Sequence, residues 1–547
     1  MMQKAIAFLA LFLILATSAL AHPHCSTAEV FQNIHKHNRV KAFQVSKEAR
    51  TISPNCETED YYDSVYTKKT PHFQIFYTLD GPHQTTNAYV DTLADALENA
   101  WDFHIKKTGF LKPLGDTISY HYQQHVDKGL YPVEVVEMTL FRDIAYILKR
   151  RCLDGCYAIT LTSETEPITS TLMIENDFMY PNEFSQSRDS VTFNGKSCYY
   201  NTPVLEIRNR PHNYSYAQKW NNALRVTATH ELYHAVQMRY LSPNASTYWF
   251  EASAAGVEEV LNPDIDDYIQ YLPDIAPRVG TPINELDDDY SLSILYLYLY
   301  NLVSKKFDKS IWESFSKNQQ QPFEYQFIQA AKKHSLSADS LFHEFAVRLS
   351  FSGKRAKLAN ESFLINKDQS SWPEFGHIST SLLTTPPETS NYAYNFYTGD
   401  KPDLSNFVGR ASVATIKGDS YSIRYLPTLN SVDSAFTDIR NGTGIDSTVW
   451  ILSRFSEETK LPYEVKDSTL RAYPTPWRHG SLCFTPLPGN KDFIEIRNRR
   501  GNLVTKIKYD NNTRCIDESE VKSLLVPGVY RFRAGNSGKL KDFIIVY

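Results

Sequence analysis

The chain of 547 residues is short of several features that mark common protein classes. Past its first twenty or so residues no stretch approaches 18 consecutive apolar residues, so nothing later in the sequence reads as a spanning helix. A basic excess is missing as well: 57 Lys+Arg stand against 62 Asp+Glu, a net charge of -5, which argues against a nucleic-acid-binding face. Glycine is scarce, at 21 residues, and neither a G-x-x-x-x-G-K-S/T loop nor a G-x-S-x-G elbow occurs. Nucleotide chemistry and a serine-hydrolase nucleophile therefore have no footing.

Cysteine is sparse and odd in number: Cys25, Cys56, Cys152, Cys156, Cys198, Cys483 and Cys515. Seven thiols leave at least one unpaired within the chain. Local pairing joins Cys25 to Cys56, Cys152 to Cys156 and Cys483 to Cys515 and leaves Cys198 over, a connectivity that spacing alone does not establish. The first residues explain why disulfides are expected. Lys4, an apolar run from Ala5 to about Ala16, and small residues at Ala19 and Ala21 read as a secretory signal cut after Ala21. The run is shorter than the roughly 20 residues a membrane span needs. An exported, disulfide-permissive protein without a membrane span follows as the expectation.

What the chain has in abundance is aromatic side chains, 35 Tyr and 30 Phe. Its length suggests about three or four folding units. HFQIFYTL alternates as a strand, and YVDTLADALENAWDFHIKKTGF places Val90, Leu93, Leu97, Ala100 and Trp101 on one helical face. Further strands are expected near YPVEVVEMTLF, STLMIENDF and TPVLEIRN. From Ala217 to Tyr240, Trp249 to about Leu261, and through most of Tyr290 to Phe351 the spacing turns helical, so the fold class is α+β. A Ser/Thr/Pro-rich stretch over 366–390 reads as a linker. Beyond it SVATIKG, SYSIRYL, DFIEIRN, NLVTKIKY, GVYRFRA and KDFIIVY read as short strands of β-sandwich-like modules, one or two in number.

The chemical centre is ALRVTATHELYHAVQMRY. On a helix His230 and His234 lie one turn apart and can aim two imidazole nitrogens at one point, with Glu231 beside it. This H-E-x-x-H pattern suits zinc, with the glutamate as general base toward a metal-activated water. A catalytic zinc needs a third protein ligand. Glu251, 17 positions after His234 on the next helix and flanked by Ala252, Ser253, Ala254 and Ala255, is the best-placed candidate, since small neighbours let two helices approach. Glu258 and Glu259 compete with it. Glu258, two turns on, suits an outer role as acceptor for a ligand imidazole. His343-Glu344 repeats the dipeptide, but Val347 stands where a second imidazole is required. The clusters Asp264/Asp266/Asp267 and Asp287/Asp288/Asp289 do not match a calcium loop and read as solvated carboxylates.

HELYHAVQ, WFEASAAGVEEV and DDYIQYL, with HFQIFYT upstream and SADSLFHEFAVRLSFSGKR downstream, resemble the gluzincin-like secreted bacterial metalloproteases first named from a myxobacterial locus. The resemblance covers roughly residues 70–356. It implies a zincin-like fold, zinc ligands at His230, His234 and Glu251, Glu231 as general base, and protein or peptide substrates. The chain departs from that family in having Ala252-Ser253 after the ligand glutamate, where Gly-Thr is usual, and Ala255-Gly256 where an aromatic is usual. The expected organisation is a signal peptide over 1–21, an N-terminal segment over 22–69, a zincin-like catalytic domain over 70–365, the linker, and a β-rich region over 391–547 that could bind glycans or a cell surface. Tyr290 is the candidate donor to the tetrahedral oxyanion. The rival readings are an inactive zincin-like binding protein and a zinc hydrolase acting on a non-peptide bond.

Overall fold

A computed structural model describes residues 64–80, 83–138, 157–163, 167–176, 178, 188–193, 196–201, 220–242, 247–286, 290–383, 385–427, 429–441, 445–455, 471–485, 493–508, 515–535 and 540–546. The signal peptide, the first four cysteines, the strand expected at TPVLEIRN and the run Asp287–Asp289 lie outside the described residues. The chain forms two compact units, Met1–Asp267 with Phe315–Gln320, and Tyr268–Ser314 with Gln321–Tyr547. The span 70–365 is thus shared between them.

The first unit is built on a mixed five-stranded sheet. Its strands are β1 (Tyr66–Lys69), β2 (Phe73–Tyr77), β3 (Tyr131–Val136), β4 (Ala158–Thr162) and β5 (Ser170–Glu175), in the order β1-β2-β3-β5-β4. β2, β3 and β5 run parallel, whereas β1 and β4 close the two edges antiparallel. FQIFY and YPVEVV are buried along their whole length, as expected of inner strands covered on both faces. Because side chains alternate, Phe73 and Ile75 face one core with Val133, Val135, Leu172 and Ile174. Phe76 faces the other with Val136, Ile159 and Met173. A small antiparallel hairpin, β6 (Arg188–Phe193) with β7 (Lys196–Asn201), carries Cys198.

Helix α1 (Asn87–Trp101) crosses over between β2 and β3. Thr86 caps it by accepting from the Tyr89 amide, and Val90, Leu93, Leu97 and Trp101 are buried, the face expected from their spacing. It continues as a π-helical turn, Asp102–Lys107. Helix α2 (Trp220–Gln237) packs in the same core and is buried without interruption from Val226 onward, so its polar residues need internal partners. After a turn comes α3 (Phe250–Leu261), whose residues Phe250 to Glu259 are all buried. Three hydrogen bonds fasten α2 to the end of α3: Arg225 forks onto Asp264 at 2.9 and 2.8 Å, and the Asn262 amide donates to the Thr229 hydroxyl at 3.1 Å.

The second unit, which starts at Tyr268, contains helices α4 (Ser293–Tyr298), α5 (Phe307–Phe315, whose last residue belongs to the first unit), α6 (Phe323–Lys333) and α7 (Ala338–Leu349). Its largest sheet has the order β11-β10-β12-β9-β8, formed by β8 (Ile378–Ser379), β9 (Ala393–Thr398), β10 (Arg410–Lys417), β11 (Ser420–Leu426) and β12 (Ser447–Arg454). Residues from the Ser/Thr/Pro-rich stretch are anchored within this unit. Trp372 donates from its indole to the Tyr268 hydroxyl at 2.7 Å, and that hydroxyl donates to Asp368. The remaining strands make a three-stranded sheet of β13 (Arg471–Tyr473), β14 (Leu482–Thr485) and β17 (Cys515–Ile516), and a four-stranded antiparallel one of β15 (Phe493–Asn498), β16 (Leu503–Lys508), β18 (Gly528–Ala534) and β19 (Lys541–Ile545). All six strands read from the tail sequence are present. Cys483 and Cys515, neighbours across β14 and β17, form a disulfide. Taken together the molecule is mixed α+β, and among the described residues no helix is long and apolar enough to cross a membrane.

Candidate metal centre

His230 and His234 stand one turn apart on α2, and Glu251 enters from the first turn of α3. Their ligand atoms converge. His230 Nε2 lies 2.9 Å from His234 Nε2, and the Glu251 Oε2 atom lies 3.0 Å from the first and 3.2 Å from the second. All three side chains are buried, and the group could hold a metal ion. Three donors at about 2.0–2.1 Å from one tetrahedral ion sit about 3.3 Å apart. The observed triangle is therefore a few tenths of an ångström tighter than a zinc site and needs only a slight opening to take an ion. Two imidazole nitrogens and one carboxylate oxygen are also the donor set that a borderline dication prefers.

The partners behind these side chains matter as much. His230 Nδ1 is 2.5 Å from Glu258 Oε1, the outer role expected for that residue. His234 Nδ1 lies 2.7 Å from Gln237 Oε1, and the His234 ring is stacked flat on Phe250, with centroids 4.3 Å apart and planes 8° from parallel. Burial alone would hold His230 neutral. The hydrogen bonds and charges of Glu251 and Glu258 outweigh that and raise its imidazole well above the usual value. Burial would likewise raise the Glu251 carboxyl, but His234 and His230 reverse the effect and hold it well below the carboxylate range. At Glu258 burial wins, and its pKa is raised.

Glu231 is almost fully buried, and its carboxylate is oriented from the sheet: Thr160 on β4 places its hydroxyl 2.7 Å from Glu231 Oε2 and 2.9 Å from the Glu231 carbonyl. Tyr233, the motif's inner residue, packs; its ring stacks on His104 at 4.5 Å and meets Phe110 edge-on. Glu259 is buried on α3 and is not one of the three converging ligands. Asp264 is engaged by Arg225. Tyr290 belongs to the second unit, where its buried ring lies 4.8 Å from Tyr271.

The second His-Glu pair, on α7, does not resemble this arrangement. His343 is held between two serine hydroxyls, Nδ1 to Ser453 and Nε2 to Ser412, both at 2.7 Å, and Val347 is buried in the core. Gln237 and Thr160 are the two participants that sequence reading did not single out. Gln237 had one available signal, its position three residues after His234 on the same helical face. Thr160 had none, since 71 residues separate it from Glu231. Comparison with protein-family models, curated proteins and solved structures gives no match for this chain.

Proposed function

We propose that the chain is a secreted, zinc-dependent metalloendopeptidase, with His230, His234 and Glu251 holding the metal. The convergence of their three donor atoms carries this reading. It is supported by Glu231 standing next to His230 on a buried helix, where the resemblance to gluzincin-like proteases places a general base. Zinc bound there would polarise a water and the scissile carbonyl. Glu231 takes the water proton on its carboxylate and passes a proton to the leaving amine nitrogen. The Thr160 hydroxyl keeps that carboxylate turned toward its task.

An extended peptide is the favoured substrate because β4 is, among the described residues, the outermost strand of its sheet and carries the threonine that touches Glu231. A peptide added along that edge would pass beside the general base. We read the first unit as zincin-like and the tail sheets as sandwich-like modules suited to a glycan or cell-surface partner. Export through the N-terminal signal is supported by the Cys483–Cys515 bridge, since such bonds persist in oxidising compartments.

The test is hydrolysis of an unfolded protein substrate by the full chain. Glu231→Gln is expected to lower the rate by about 10²–10⁴-fold while zinc stays bound. A chelator abolishes the activity and zinc restores it. Full activity in Glu231→Gln would sink the assignment of the base. Zinc binding without any hydrolysis would favour an inactive binding protein, and cleavage of esters but not peptides would favour a non-peptide hydrolase.

A further inference from the structure

We infer that Gln237 is a positioning residue that fixes the tautomer of His234 and so presents its Nε2 lone pair to the metal. The inference deepens the proposed function and rests on its metal assignment. The Gln237 amide nitrogen lies 3.0 Å from the Phe250 carbonyl oxygen. A carbonyl only accepts, so the amide atom facing it must be the NH₂ group and not the oxygen. The same nitrogen lies 2.9 Å from Ser253 Oγ, whose single hydrogen is directed at the Trp249 carbonyl at 2.7 Å. Ser253 therefore accepts from Gln237, which confirms the amide orientation.

Gln237 Oε1 is thereby left facing His234 Nδ1 at 2.7 Å. An amide oxygen has no proton to give, so the hydrogen in this bond belongs to Nδ1. A neutral imidazole with its proton on Nδ1 carries its lone pair on Nε2, the atom that meets Glu251 and His230. The two imidazoles are thus held differently. The partner of His230 is a carboxyl group, which can exist with or without a proton, whereas the partner of His234 is an amide with one polarity. The bonds to Phe250 and Ser253 anchor the same amide to the first turn of α3, the turn that carries Glu251. One side chain therefore sets both the direction of a ligand lone pair and the approach of the helix that brings the third ligand.

The test compares the full-length wild type with Gln237→Met and Gln237→Glu. Zinc affinity is measured by competition with a chromophoric chelator, and thermal stability is measured on the metal-free proteins. Gln237→Met fills the space without an acceptor, and zinc binding is expected to weaken by about 10–100-fold. Gln237→Glu restores an oxygen opposite Nδ1, so affinity should stay within about threefold of wild type. Its second oxygen confronts the Phe250 carbonyl, so its metal-free Tm should fall below that of Gln237→Met. Affinity and stability are then ordered oppositely in the two variants. Wild-type affinity in Gln237→Met, or affinities that simply follow Tm, would overturn the inference while leaving the metal site intact. A wild type that binds no zinc tightly would overturn the metal assignment, and this inference with it.

Discussion

Two His-Glu dipeptides sit on buried helices of this protein, and their surroundings give them opposite characters. On α2, His230 and Glu231 are followed by His234, and the imidazoles meet carboxylates: Glu251 bonds both, and Glu258 backs His230. On α7, His343 meets only hydroxyls, and burial together with the Arg410 charge pushes its pKa down to about 3. Glu344 is also buried, but His479, Arg348 and Tyr425 hold it ionised, well below the carboxylate range, against the pull of burial. The Arg348 guanidinium bonds it at 2.9 Å and His479 at 3.0 Å. The dipeptide is therefore not the site. A metal centre requires three donors whose lone pairs converge, and α7 instead directs its polar groups to one another, to strands β10, β11 and β12 and to the segment after β13. There they join the helix to the sheets of its own unit.

Breaking the α7 network gives the largest effect on stability. Glu344→Gln leaves buried Arg348 and His479 without their anion, a loss of about 3–5 kcal/mol. Urea unfolding should show this as a lower midpoint, with zinc affinity unchanged. Next comes the pH response of His343. Its folded pKa of about 3 lies below the ordinary value of 6.5. The fold prefers the neutral ring, so its contribution is complete above 6.5 and is lost as pH falls from 6.5 toward 3. At pH 5 the loss is about 2 kcal/mol. His343→Gln, which keeps partners for both serines and cannot titrate, should flatten the dependence of stability on pH in that window. A slope unchanged by the substitution would show that the ring is not held neutral.

The smallest of these effects lies at Thr160 on β4. Thr160→Val removes the hydroxyl that orients Glu231, at about 1 kcal/mol for one hydrogen bond to a charged group's environment. The proposed peptide hydrolysis should fall by roughly five- to tenfold with zinc affinity unaltered. Loss of zinc in this variant would mean that β4 supports the ligands rather than the base.

The parts of this comparison that could be read from sequence are the local ones. Helical spacing marked Val90 through Trp101, because burying one face imposes a period visible within a dozen residues. The i, i+4 rule brought His230 and His234 together, and the small residues after Glu251 indicated that α3 could approach. Val347 already separated α7 from a metal motif. What sequence did not reveal depends on tertiary placement. Thr160 reaches Glu231 only because β4 closes the sheet edge beside α2. The serines that hold His343 come from strands 69 and 110 residues away. The division into two units was also hidden, since the helices from Ser293 to Leu349 continue the texture of α2 and α3 but cluster with the tail strands.

The most direct measurement is the zinc stoichiometry and affinity of the purified full chain, followed in His234→Ala, Glu251→Gln and His343→Gln. One tight site per chain is expected, abolished or weakened by orders of magnitude in the first two variants and unchanged in the third. A chain with no tight site, or one whose site survives the loss of His234 and Glu251, would contradict it.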